Sequence, residues 1–400
     1  MFRKSPISER LLHIAGSGTL KISALAQEMK AKGIEVIDLS VGEPDFPTPS
    51  NIKEAAKRAI DANFTKYTAN EGITELKAAI VHKFREDNGI EYAPDEVIVS
   101  SGAKNCLYNL FVAMIDSGDE VIIPAPYWVS YPEQVKLAQG TPVIVQTKEE
   151  NSFLLTPSEL ESVITSNTKA LVLNNPCNPT GATYTCEQLL ELAELAVSKG
   201  IYIIADEIYE KLVYDGFRFC SMAALSDTIK HKTIIINGVS KAYSMTGWRI
   251  GYAAGPKAII SAMAKVQSHN TSNACSISQM ASLEAIRGTQ TEVFNMVAEF
   301  QNRRNYILSR VHSIPDISCY EPKGAFYLFP NFSAYYDRQF EGMQILSSSD
   351  LCHYLLKYAR VAVVPGMVFG ADNYIRLSYA TSMENIEEGM DRIIEAMQKL

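Results

Sequence analysis

Seven short runs through the middle of the chain are apolar along nearly their whole length: EVIVSS (96–101), DEVIIP (119–124), TPVIVQT (141–147), KALVLNN (169–175), IYIIADE (201–207), KTIIING (232–238) and RIGYAAG (249–255). A strand with one wet face alternates apolar and polar residues, and these do not. Uninterrupted β-branched runs suit strands buried on both faces, as in a parallel sheet covered by helices. Helix-like segments such as CEQLLELAELAVSKG (186–200) separate several of them. That alternation predicts an α/β fold with a wound, mostly parallel sheet. The last hundred residues differ, with helical stretches expected around LCHYLLKYARVAVV (351–364) and MENIEEGMDRIIEAMQKL (383–400). With 400 residues, 47% of them hydrophobic, two domains are expected. The division read here is an N-terminal arm with part of a small domain (1–48), a large domain (49–290) and the rest of a smaller α/β domain (291–400).

Charge and cysteine usage narrow the function classes. The formal net charge is -8 and no long Lys/Arg run appears, which argues against nucleic acid or a membrane surface as partner. The N-terminal MFRKSPISERLLHIAGSG lacks the apolar core of a secretory signal. No apolar run is long enough to span a bilayer. Seven cysteines lie scattered without a CxxC pair, so reduced thiols, a cytoplasmic location and no metal are expected.

Ligands of open α/β sheets sit outside the carboxyl ends of the strands. EVIVSS runs into Gly102 and Ala103, where a helix N-terminus offers free N–H groups to an anion. VIIP leads to Trp128, ALVLNN to Asn178, IYIIA to Asp206 and Tyr209, and IIINGV to Ser240 and Lys241. Singly, each has a plain explanation: an Asp after a strand commonly caps a helix, and NPTG commonly makes a turn. Jointly they place an amine, a carboxylate, an amide, a phenol and an indole on one rim. Lys241 is the odd member, a lone amine in GVSKAYSMTGWRIGY among small, apolar or neutral residues until Arg249.

GVSKAYSMTGWRIG, NNPCNPTG, ADEIYEKLVY, VGEPDFPTP and YIRLSYA stand in an order that resembles the class I pyridoxal-phosphate aminotransferases, and the resemblance spans nearly the whole chain. It implies the fold type I of those enzymes, with a seven-stranded, mostly parallel sheet, a homodimer, and transfer of an amino group between an amino acid and a 2-oxo acid. It further implies that Lys241 holds pyridoxal phosphate covalently and carries the Cα proton, and that Asp206 pairs with the ring nitrogen. By the same resemblance, Tyr209 and Asn178 meet the ring's phenolic oxygen and Trp128 stacks on the ring. Gly102, Ala103, Lys104, Ser240 and Arg249 would hold the phosphate, with Tyr67 reaching in from the other subunit. Arg376 would take the substrate α-carboxylate as a bidentate fork, with Gly42 beside it.

Within the family the chain looks most like the bacterial aspartate aminotransferase branch, which includes enzymes acting on prephenate. A second arginine for an acidic side chain is missing from VQSHNTSNACS (266–276), so Lys104, assisted by Ser17, is the expected substitute. Ala15 and Gly16 stand where prephenate-active members tend to carry a basic residue, which lowers the expectation for that substrate. An enzyme for aromatic or neutral amino acids, a lyase or decarboxylase on the same fold, and a non-catalytic binder are the alternatives.

Overall fold

The structure, a computed structural model, describes residues 6–16 and 18–400. Ser17 therefore lies outside the described residues. Each of the seven apolar runs contains a strand: β1 (Val97–Ser100), β2 (Glu120–Ala125), β3 (Thr141–Gln146), β4 (Thr168–Asn174), β5 (Tyr202–Asp206), β6 (Thr233–Gly238) and β7 (Gly251–Ala254). They form one sheet in the order β1-β7-β6-β5-β4-β2-β3. All neighbours are parallel except those of β7, which runs antiparallel to both β1 and β6. The uninterrupted hydrophobicity is explained by helices on both faces. On one, α1 (Ala103–Met114) buries Cys106, Leu107, Leu110 and Phe111 with Ile204 and Ile236. On the other, α3 (Cys186–Ser198) buries Leu189, Leu192, Ala193 and Ala196 with Leu171 and Ile203. Between them in sequence, α2 (Ser130–Leu137) packs Tyr131 and Val135 beside α1. A reciprocal cap starts α3: the Gln188 N–H donates to Thr185 Oγ1, and the Thr185 N–H donates to Gln188 Oε1.

A second core gathers residues far apart in sequence: Ile37 and Leu39, Phe300 of α4 (Thr291–Val311), Phe326 and Leu328, Leu377, and Ile386 and Ile393 of α5 (Met383–Met397). Its small antiparallel sheet joins Val364–Pro365, Ile375–Ser378 and Tyr327–Leu328, and Ile37–Asp38 pairs in parallel with Val361–Ala362. The N-terminal segment is thus pinned into the C-terminal core.

Two expectations need correcting. The helix expected through residue 364 stops at Arg360, which takes φ 55° and turns the chain out. The VAVV that follows is strand, because its burial is decided by pairing with residues over three hundred positions earlier. The thiols are not all free either: Cys186 and Cys220 are joined in a disulfide with Cα atoms 5.4 Å apart. Their separation of 34 residues carries no motif, and only the packing of α3 against the loop before Met222 brings them together. Among the described residues no helix is long and apolar enough to cross a membrane, and no His/Cys/Asp/Glu group is arranged to hold a metal.

Candidate active site

The carboxyl ends of β5 and β6, the N-terminus of α1, the segment 38–43 and the strand Ile375–Ser378 surround a cleft of about 580 Å³. Gly42, Ala103, Lys104, Trp128, Asn178, Asp206, Tyr209, Ser240, Lys241, Arg249 and Arg376 all line it. Gly102 lies directly behind Ala103, and Tyr67 does not line the cleft of its own protomer.

Lys241 stands three residues beyond β6, and its Nζ donates to the Gly42 carbonyl at 2.5 Å. Burial lowers its pKa from 10.5 to about 8. Glu43 opposes that fall, whereas the positive charges of Arg376 and Arg249 add to it. The amine is therefore neutral far more often near neutral pH than a solvated lysine, which favours its use as a nucleophile or base.

Asp206 ends β5. Its Oδ2 accepts from Tyr131 Oη at 2.6 Å and its Oδ1 from the Ile208 N–H at 3.3 Å. Burial pushes the carboxyl up to about 6, while these two donors and Lys241 hold it down against that pressure. Asn174, at the end of the adjoining β4, donates from Nδ2 to the Asp206 carbonyl at 3.0 Å and accepts the Asn178 N–H at 2.8 Å. The ends of two strands and the NPCNPTG loop are thereby locked together. Tyr209 and Tyr327 set their hydroxyls 3.0 Å apart.

One end of the cleft is built for an anion. β1 ends at Ser100 and α1 begins at Ala103, whose first N–H groups lack intrahelical partners. Gly102 between them adopts φ 90°, and a Cβ there would stand 2.4 Å from Arg249 Nη2. A Cβ on Gly251 would stand 2.1 Å from the Ala103 nitrogen. The two glycines let the guanidinium, the helix start and β7 converge. Arg249 is itself at φ 56°, anchored by Nη1 donating to the Thr246 carbonyl at 2.9 Å.

The other end holds Arg376, buried to 3% exposure. Its Nη1 donates to Asn178 Oδ1 at 3.0 Å and its Nη2 to the Ser40 carbonyl at 2.7 Å, while buried Nε has no partner. No carboxylate among the described residues answers its charge, and burial lowers its pKa. A buried guanidinium left without a counter-ion is costly unless an anionic ligand completes it. Lys104 places Nζ 4.9 Å from the Trp128 ring centroid. Burial, then Arg249, lowers its pKa.

Tyr131, Asn174, Glu43 and Tyr327 are among the cleft residues that the sequence did not single out. Tyr131 is legible in hindsight, one helical turn beyond Trp128. Asn174 is the first Asn of the NNPCNPTG motif, whose third Asn, Asn178, is the expected site residue. Tyr327 gave no signal, because nothing in GAFYLF separates a wall of the site from core.

Comparison with known proteins agrees with this geometry. Residues 34–393 match the family model described as aminotransferase class I and II. An aspartate aminotransferase of Geobacillus stearothermophilus is 49% identical over 98% of this chain and 99% of its own. A probable aspartate/prephenate aminotransferase of Rickettsia prowazekii is likewise 49% identical, over 99% and 100% of the two chains. Among solved structures, the aspartate aminotransferase of Thermus thermophilus with maleate superposes with a TM-score of 0.93 at 41% identity, covering 98% of this chain and 100% of that one. With an amine, a buried carboxylate and two arginines lining one cleft, and relatives matched from end to end, the chain belongs to the class I and II aminotransferases.

Proposed function

We propose that the protein transfers the amino group of L-aspartate to 2-oxoglutarate, using pyridoxal phosphate and alternating between the two half-reactions. The observation that carries the reading is Lys241: an amine with its pKa near 8, at the floor of a cleft whose ends are the α1–Arg249 cradle and Arg376. The residues present fit the cofactor. A Cβ at Gly102 would fill the cradle, which leaves room for a phosphate held by the N–H groups of Ala103 and Lys104, by Ser240 and by Arg249.

When bound, pyridoxal phosphate supplies a carbonyl for the amine and a ring that takes up the electrons left as the Cα proton departs. Lys241 Nζ is the covalent anchor and then the base that removes and returns that proton. Asp206 would accept the ring N–H, helped by the Tyr131 hydroxyl, which favours the ionised carboxylate. Tyr209 and Asn178 would offer donors to the ring's oxygen, and Trp128 would stack on the ring. Arg376 fixes the donor's α-carboxylate through a planar fork, beside Gly42.

Acidic-substrate preference is assigned to Lys104, with Ser17 from the N-terminal arm. The relatives' names, and the maleate bound to the Thermus enzyme, support a four-carbon dicarboxylate. Prephenate is the second reading, favoured by the name of the Rickettsia relative. We further propose the domain division 1–48 with 291–400 against 49–290, supported by the separate core around Ile37, Phe326 and Ile393. A homodimer with shared sites is proposed on Tyr67, which is 92% exposed. A cytoplasmic location rests on the sequence alone, and the Cys186–Cys220 bridge runs against its all-thiol premise.

The test is a panel of amino donors against 2-oxoglutarate, with borohydride trapping in parallel. Aspartate should be the best donor, and reduction should fix the cofactor on the peptide containing Lys241. An adduct on another lysine, or phenylalanine or alanine as the preferred donor, refutes the corresponding part.

A further inference from the structure

Tyr327 is wholly buried, and two of its parts face two different functional groups. Its hydroxyl lies 3.0 Å from the Tyr209 hydroxyl, the rings meeting edge to face at 82° with centroids 6.0 Å apart. Its ring face carries the Arg376 guanidinium, with Cζ 4.4 Å from the centroid. The same hydroxyl stands 3.4 Å from where a Cβ on Gly42 would be, which fixes its depth against the backbone that accepts from Lys241.

The direction of the hydroxyl pair has a consequence. Each phenol brings one proton and can also accept. If Tyr209 donates to Tyr327, the Tyr209 proton is spent inside the wall. If Tyr327 donates, the Tyr209 proton is free to point into the cleft. A cation over a phenol ring withdraws electron density and makes its O–H the better donor. Arg376 opposes the rise that burial imposes on both phenols, but it lies on the ring face of Tyr327 alone, so its pull is closer there. The second orientation is therefore the one that Arg376 favours.

We infer that Tyr327 is a positioning residue: its hydroxyl donates to Tyr209 and aims that proton into the cleft, while its ring is the platform on which Arg376 is held flat to receive a carboxylate. The inference rests on the cofactor reading proposed above, since Tyr209 needs an acceptor in the cleft. Tyr327 thereby adds a second link between two subsites that the Arg376–Asn178 hydrogen bond already joins.

The hydroxyl and the ring can be removed separately. The probe is the visible absorbance of the holoenzyme with pyridoxal phosphate, titrated against pH. Tyr327→Phe keeps ring and volume and loses only the bond. With Tyr209 a poorer donor, the ring's oxygen is less stabilised as an anion, and the absorbance midpoint should rise by about half a unit to one unit. In a Tyr209→Phe background the same change should produce no further shift, because its route is gone. Tyr327→Phe should leave KM for aspartate nearly unchanged, whereas Tyr327→Leu, which also removes the platform, should raise KM for aspartate and phenylalanine alike by roughly tenfold. An unmoved midpoint, or an equal shift with and without the Tyr209 hydroxyl, overturns the link to Tyr209. Equal KM values for the Phe and Leu variants overturn the platform. A parent protein that develops no visible band with pyridoxal phosphate refutes the cofactor reading instead, and this inference with it.

Discussion

Lys104 illustrates how much rests on one side chain. Its backbone belongs to the first turn of α1, beside Arg249, yet its ammonium lies over Trp128. In a partly closed site, a charge-assisted bond to a second carboxylate is worth about 1.5–3 kcal/mol. Lys104→Ala should therefore lower kcat/KM for aspartate roughly ten- to hundredfold and that for phenylalanine far less. The quantity to measure is the ratio of the two at saturating cofactor. A parallel fall in both would mean that Lys104 serves the phosphate, and no change would leave it a solvated cation. The residue type was legible in GAKN; the direction of the side chain was not, because Trp128 is supplied by a loop 24 positions later.

At the scale of elements, the turn between β1 and α1 is the most constrained piece of the site. Gly102 at φ 90° joins a strand to a helix with only two residues between them. Alanine there meets two penalties: a left-handed backbone costing about 1–3 kcal/mol and a collision with the Arg249 guanidinium. Gly102→Ala should lower affinity for pyridoxal phosphate by roughly tenfold or more and depress the melting temperature of the protein without added cofactor. Equilibrium binding and a thermal melt check both halves. Wild-type affinity would show that Arg249 can swing aside without loss. The reading of a strand running into a helix came from the sequence, since Gly-Ala after VIVSS marks a tight turn. The need for glycine itself comes from Arg249, almost 150 positions away.

At the scale of the whole molecule, Tyr67 is 92% exposed on the single chain. If Tyr67 reaches a partner's phosphate, the assembled dimer should cover it, and the hydroxyl should come within about 3 Å of that phosphate. Solvent accessibility of Tyr67 by chemical modification, compared between dimer and dilute monomer, tests the placement. Equal reactivity in both would remove Tyr67 from the site. The placement of Arg376 likewise depends on distant segments, since Arg376 donates to Ser40 from the N-terminal segment and to Asn178 from the loop after β4.

The sequence by itself determined the sheet, because seven runs with no polar face can be satisfied only by burial on both sides. It also determined which residues stand at the strand ends, since connectivity alone places Asp206, Asn178 and Lys241 on one rim. Tertiary structure decided what pairs with what. Tyr131 on Asp206, Gly42 on Lys241, Tyr327 between Tyr209 and Arg376, and Cys186 with Cys220 are contacts between segments tens to hundreds of residues apart. Local propensity and periodicity carry no information about such pairs. They exist because the core around Ile37, Phe326 and Ile393 and the core around α1 bring their rims to the same cleft.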